Sequence, residues 1–257
     1  MAKKIYYYES FSDDIVKNKG QDYQLPESYV WIHEGFFYRL YSLLLYLIAA
    51  IAGLVGCYGV LHMRIENRNV IKPYRKVGCY IYGNHTQPIG DVAIPGFVCR
   101  YKRVYTIVSP ANLGIPFLGK FLPALGALPI PDHIDQIKKL YRAIEKRIDE
   151  GGCVIIYPEA HVWPYYTKIR PFPTTSFRYP AKDGAPVFAM TTTYQKRRFG
   201  KRPKMVVYLD GPFFADQNLP LKERQKKLCE EVRSTMEARS HNSNCEYVRY
   251  EKKADET

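Results

Sequence analysis

The chain lacks several of the patterns that would place a protein of this size quickly. Its six cysteines (Cys57, Cys79, Cys99, Cys153, Cys229, Cys245) are scattered, with no C-x-x-C and no metal-like pairing with histidine. That argues against a disulfide framework or a zinc site and for reduced thiols. No G-x-S-x-G is present, which excludes the usual nucleophile elbow of a lipase or thioesterase. A Gly-rich phosphate loop, an RNA-recognition signature and a zinc finger are also missing, so the net charge of +13 does not by itself make a nucleic-acid binder. There is no internal repeat or low-complexity tract, and 257 residues suffice for one sizeable core.

One further absence is local. Between Arg39 and Arg64 lie 24 residues with no formal charge, LYSLLLYLIAAIAGLVGCYGVLHM. As a helix this run extends about 36 Å at ~1.5 Å per residue, enough to cross a bilayer with some tilt. A core helix this apolar on every face is rare in so small a domain. Ala50-Ile51-Ala52 resembles a signal-cleavage tripeptide, but the preceding segment is long and acidic and the apolar run continues past it. An anchor is therefore expected at 37–64, preceded by a polar, tyrosine-rich lead-in over 1–36 that reads as irregular or peripheral. Residues 1–39 carry a net charge of −1, so the remainder carries +14, which suits an anionic lipid surface. Arg64, Arg68, Lys72, Arg75 and Lys76 crowd the far flank, so if the helix spans, the positive-inside rule puts the body, 65–257, on the cytoplasmic side, and if it is only half-inserted the same flank faces anionic lipid.

Behind the anchor, apolar β-rich runs at 77–84, 103–110, 152–159, 186–194 and 204–211 read as mostly buried strands. Ile137, Leu140, Tyr141, Ile144 and Ile148 fall at helical spacing, predicting a helix over Ile134–Glu150 with Asp132 as cap and Gly151-Gly152 as stop. Leu219–His241 reads as a charged amphipathic helix. The alternation implies an α/β fold, a mixed, mostly parallel sheet flanked by helices, with its chemistry at the carboxyl ends of the strands.

Two such ends carry reactive groups. After the first strand comes Asn84-His85-Thr86-Gln87-Pro88-Ile89-Gly90-Asp91. A neutral imidazole can take a proton from an attacking hydroxyl while a carboxylate orients the ring. On a regular helix, six steps of ~100° would part His85 from Asp91, so they meet only if the chain turns, and Pro88 and Gly90 supply turn chemistry. After the third strand comes Tyr157-Pro158-Glu159-Ala160-His161, where Glu159 is placed either to grip a substrate hydroxyl or to cap the next helix or loop. His161 reads as a surface histidine. Lys168 and Arg170 come next as candidate anion contacts.

The order NHTQPIGD, then SPANLGIPFLGKFLPALGALPI, then VIIYPEAH…IRPFP…APVFAM resembles the glycerolipid (lysophospholipid) acyltransferase family, the 1-acylglycerol-3-phosphate acyltransferases in particular, over roughly residues 70–210. Ile115-Pro116-Phe117-Leu118-Gly119, Gly126-Ala127-Leu128-Pro129-Ile130, Pro158-Glu159, Pro171-Phe172 and Ala185-Pro186 match its blocks, and a preceding apolar anchor is family-like. The chain departs in three places. Five residues separate His85 from Asp91 where the family has four, a basic residue of the second block is replaced at Ser109 or a near neighbour, and the Gly-Thr-Arg of the third is Ala160-His161-Val162. The two lost cations are those the family uses around the acceptor's phosphate, and Lys168, Arg170 or Lys120 would have to replace them.

The resemblance implies an acyl transfer from acyl-CoA or an acyl-carrier protein to a lipid hydroxyl. His85 and Asp91 would be catalytic, Asn84, Glu159, Lys168 and Arg170 would bind substrate, and neither a metal nor a covalent enzyme intermediate would be needed. The expected partners are membrane lipids and the thioester donor, not nucleic acid. The alternatives are an acyltransferase for a non-phosphate acceptor and a catalytically divergent protein that docks on membranes.

Overall fold

The computed structural model describes residues 4–16, 22–88, 90–200 and 202–253. In chain order the strands and helices are β1 (Lys4–Tyr8), α1 (Phe36–Leu54), β2 (Arg64–Glu66), β3 (Cys79–Gly83), α2 (Gly90–Val98), β4 (Val104–Val108), β5 (Ala127–Pro129), α3 (Ile134–Asp149), β6 (Cys153–Ile156), α4 (Arg178–Asp183), β7 (Val187–Gln195), β8 (Lys204–Phe213), α5 (Leu221–Ser240) and β9 (Val248–Lys252). Seven strands form one sheet in the order β2-β8-β7-β3-β6-β4-β5. All pairs are parallel except the β7–β8 hairpin. The fold is thus mixed α/β with a mostly parallel sheet.

The five predicted strands correspond to β3, β4, β6, β7 and β8. Strand β3 is buried along its whole length and alternates between two cores. Tyr80 and Tyr82 face the core built with α3 and α5, while Cys79 and Ile81 face the one that includes Ile94 and Val98 of α2. Burying each such side chain contributes about 1.5–3 kcal/mol before chain entropy is counted. In α3, Leu140, Ala143, Ile144 and Ile148 turn inward, whereas Ile137 is exposed and Tyr141 rests on Tyr179 with centroids 4.8 Å apart. The cap expected at Asp132 is corrected: His133, in extended backbone, holds the N-cap without a side-chain bond.

The irregular reading of 1–36 is corrected at Lys4–Tyr8, which forms β1 and pairs in parallel with β9 at the far end of the chain. Leu25 and Trp31 are also buried in the core. Within the second resembled block, Gly126 has φ +101°, and a Cβ there would lie 2.4 Å from the Val104 carbonyl oxygen. Gly126→Ala is expected to cost more than about 2 kcal/mol, from left-handed backbone strain plus backbone displacement. The thermal midpoint in detergent micelles reads this directly, and a midpoint equal to wild type would refute it.

Phe36–Val60 is one helix by length and composition able to cross a membrane, only 6% of its apolar window being buried. Its last six residues, Val55–Val60, wind as a π-helix. The helix lies along the body against α2. Ser42 Oγ donates to Ala124 O, Gly53 meets Ala93 and Phe97, and Tyr58 packs edge-on against Phe97 with centroids 5.4 Å apart. Its outer residues, among them Phe36, Phe37, Leu47, Ile48, Ile51 and Val55, are exposed. An exposed apolar surface of this extent needs a covering other than water.

Candidate active site

Strand β3 ends at Gly83, and the next residue begins a tightly held loop. The Asn84 amide bridges the loop to β7, donating from Nδ2 to Thr192 O at 3.0 Å and accepting from Thr192 N at 2.8 Å. This continues the β3–β7 ladder with a side chain where the strand itself has stopped. His85 then donates its backbone N–H to Glu159 Oε2 at 3.1 Å and accepts at its carbonyl from Trp163 N at 3.0 Å.

The imidazole of His85 reaches Asp91: Nδ1 lies 2.7 Å from Oδ2. Asp91 sits in the first turn of α2, and its Oδ2 also accepts from Gln87 N at 2.8 Å. The five-residue spacing is therefore accommodated by a turn that brings both groups back together. A carboxylate oxygen accepting from Nδ1–H fixes the tautomer and leaves Nε2 with a lone pair. Nε2 makes no hydrogen bond among the described residues. The histidine side chain is 20% exposed and the aspartate 2%, so the imidazole is accessible to a ligand while the carboxylate is not.

Sequence reasoning missed the aromatic residues that surround this pair. Tyr157 stacks on the His85 ring with centroids 4.4 Å apart and planes at 17°, and its hydroxyl donates to Asp91 O at 2.7 Å. Tyr194 Oη lies 2.7 Å from Thr86 Oγ1 and accepts from Gln87 Nε2 at 2.9 Å. Burial pushes both phenols well above their ordinary range, so each stays an O–H group. Trp163 backs His85 through its main chain, and Tyr165 N donates to Thr86 O at 2.9 Å. Tyr157 opens a singled-out motif and Tyr194 ends a predicted strand, but neither carries a chemical signature of its own. Tyr157→Phe keeps the stacked ring and loses only the bond to Asp91 O. Any turnover that relies on His85 should then stay within about tenfold of wild type, because one neutral hydrogen bond contributes on the order of 1 kcal/mol. A loss of a thousandfold would make the phenol a participant in the chemistry.

Asn84, Glu159 and Arg170, the expected substrate contacts, are bonded within the protein, and of their buried side-chain polar atoms Arg170 Nε is left without a partner among the described residues. Glu159 Oε1 accepts from Arg170 N at 2.9 Å, and Oε2 accepts from both His85 N and Arg170 Nη2, the latter at 3.1 Å. The Arg170 guanidinium also donates to Phe11 O at 3.1 Å and to His161 O, and it lies 4.8 Å over the Trp163 ring. Neither ionic side chain is exposed. Burial pushes the Glu159 carboxyl upward, opposed by Arg170 and two backbone N–H groups. The pair clamps the His85 loop from behind. Lys168 is exposed on the same segment. Ser109 caps a turn, accepting from Ala111 N at 3.3 Å.

Comparison with family models finds no match, and comparison with curated proteins finds none either. Among solved structures, the crystal structure of the 1-acyl-sn-glycerophosphate (LPA) acyltransferase PlsC from Thermotoga maritima is similar, with a TM-score of 0.58 at 15% identity. The match covers 81% of this chain and 89% of that one. The likeness is one of fold.

Proposed function

We propose that this protein is a membrane-associated O-acyltransferase that moves a fatty acyl group from acyl-CoA or an acyl-carrier protein to the hydroxyl of a lysophospholipid or related glycerolipid. The observation that carries the reading is the 2.7 Å contact between His85 Nδ1 and Asp91 Oδ2, with Nε2 left unused beside the carboxyl ends of the parallel strands. The shared fold with a 1-acyl-sn-glycerophosphate acyltransferase supports the same class of reaction.

In this mechanism Nε2 takes the proton of the acceptor hydroxyl as its oxygen attacks the thioester carbonyl. Asp91 stabilises the imidazolium that forms and keeps the ring in place. Collapse of the tetrahedral adduct breaks the C–S bond, and the imidazolium returns the proton to the departing thiolate. Backbone N–H groups near the strand end would hold the oxyanion. The end of the apolar helix lies close by, since a Cβ on Gly90 would meet Leu61 at 3.2 Å. A lipid acceptor lying in the bilayer would thus approach along α1, with the body on the cytoplasmic side.

With Arg170 committed internally, Lys168 is the remaining cation of the expected pair for an acceptor phosphate. Lys168→Ala is expected to raise KM for lysophosphatidate about tenfold, one charge-assisted contact, and to leave monoacylglycerol unaffected. Thiol release from acyl-CoA with each acceptor decides this. Equal rates on both acceptors in wild type and variant would mean that no phosphate is read, and the substrate would be a neutral lipid alcohol.

A further inference from the structure

A cavity of about 450 Å³ opens at the other end of α1, between its first turns, the Pro123–Leu128 segment, β4 and the end of α3. It lies at the amino ends of the strands, whereas His85 follows the carboxyl end of β3, so the five-residue strands put the two on the order of 15 Å apart. Three arginines line it, Arg39, Arg103 and Arg147, against a single acid, Glu150.

The arginines are only partly used by the protein. Arg103 donates through Nη2 to Ser42 Oγ at 2.8 Å and Ala124 O at 2.6 Å, which ties the apolar helix to the body. Arg147 donates through Nη1 to Glu150 at 2.7 Å and stacks 4.8 Å over Tyr105, yet its buried Nε has no hydrogen-bond partner. Arg39 is exposed at the rim on the first turn of α1. Buried donors in folded proteins are nearly always satisfied, so the fold leaves part of the Arg147 guanidinium's hydrogen-bonding capacity unused. The smaller basic cleft beside it differs, because Lys102 caps the carbonyls of Tyr74, Val77 and Gly151.

We infer that this cavity binds the phosphomonoester headgroup of a membrane lipid, with Arg39, Arg103 and Arg147 holding the phosphate. Three guanidinium groups facing one carboxylate leave a net positive site, and arginine forks suit phosphate oxygens. The lipid source is indicated by position. The cavity opens beside the exposed apolar face of α1, where Leu43 is both a lining residue and exposed, so acyl chains would continue onto that helix. The site would hold the body by a headgroup at one end of α1 while acyl transfer proceeds at the other. Headgroup binding here is independent of the catalytic reading, because none of these residues is near His85.

The test titrates the full-length protein in neutral maltoside micelles with short-chain phosphatidate, the matching diacylglycerol and inorganic phosphate, with binding measured by equilibrium dialysis. Phosphatidate should bind, and Arg39→Gln and Arg147→Gln should each weaken it about tenfold, one charge-assisted contact apiece. The Arg39 side chain is exposed and makes no hydrogen bond among the described residues, so Arg39→Gln keeps the test decisive if Arg147→Gln fails to fold. Unchanged binding in a folded variant would overturn the site, since phosphatidate held near His85 would ignore both changes. Diacylglycerol binding equally well would remove the anion recognition. Inorganic phosphate competing at the same concentration as phosphatidate would make the occupant a free anion and end the lipid assignment.

Discussion

His85→Ala should lower the rate of acyl transfer by about 10²–10⁴-fold, the usual contribution of a positioned general base, with little change in the thermal midpoint. The imidazole is partly exposed, and the main-chain bonds of His85 to Glu159 and Trp163 do not involve its side chain, so the loop should survive the truncation. Asp91→Asn is the sharper companion. It retains the shape but presents an amide where Nδ1–H and Gln87 N–H both need an acceptor. If the amide oxygen keeps those bonds the tautomer is preserved but the imidazolium loses its counter-charge. If the nitrogen faces them, the ring is held with its lone pair on the wrong atom. Either way turnover falls, by about 10²-fold or more, while KM for the acceptor moves little because no binding contact is lost. A KM effect with intact turnover would recast the pair as a binding feature.

Arg170→Met should be strongly destabilising. It strands the Glu159 carboxylate in a fully buried position, and removing one partner of such a pair costs about 3–5 kcal/mol. For a chain of this length that corresponds to a fall in the thermal midpoint of roughly 6–20 °C. The change also frees the Phe11 and His161 carbonyls and leaves the Trp163 face uncovered. The paired Arg170→Met, Glu159→Leu variant should recover part of the midpoint, because no charge is then left unpaired. A single variant as stable as wild type would show that the clamp carries no weight. Failure of the double variant to recover any midpoint would mean that the backbone bonds to Glu159, and not its charge, hold the segment.

Strands β3, β6 and β7 are buried on both faces nearly throughout, which leaves a continuous signal, while β4 and β8 are legible from their β-branched and aromatic residues although they are less buried. Strands β2 and β5 are three residues each, too short to show a pattern. Strand β1 is half-exposed and tyrosine-rich, and its partner β9 lies at the other end of the chain, so nothing local marks it. Helix α2 contains Pro95 and begins at Gly90, residues that read as turn chemistry. It forms because its buried Ile94 and Val98 pack against β3 and β6. The same distinction holds at the site. His85 and Asp91 are neighbours in sequence, and one local turn decides whether they meet. The fate of Glu159 and Arg170 depends on Phe11, His161 and Trp163, which only the folded chain brings around them, so two groups that look like substrate contacts become a buried support.

The most direct test of acyl transfer is the fate of a labelled acyl group. Full-length protein in micelles is given acyl-CoA labelled in the acyl chain together with lysophosphatidate or monoacylglycerol, and the lipids are separated and weighed by mass spectrometry. The expected result is one new ester on the acceptor hydroxyl for each thiol released, lost in His85→Ala. Thiol release without acylated acceptor, or equal product from wild type and His85→Ala, would contradict it.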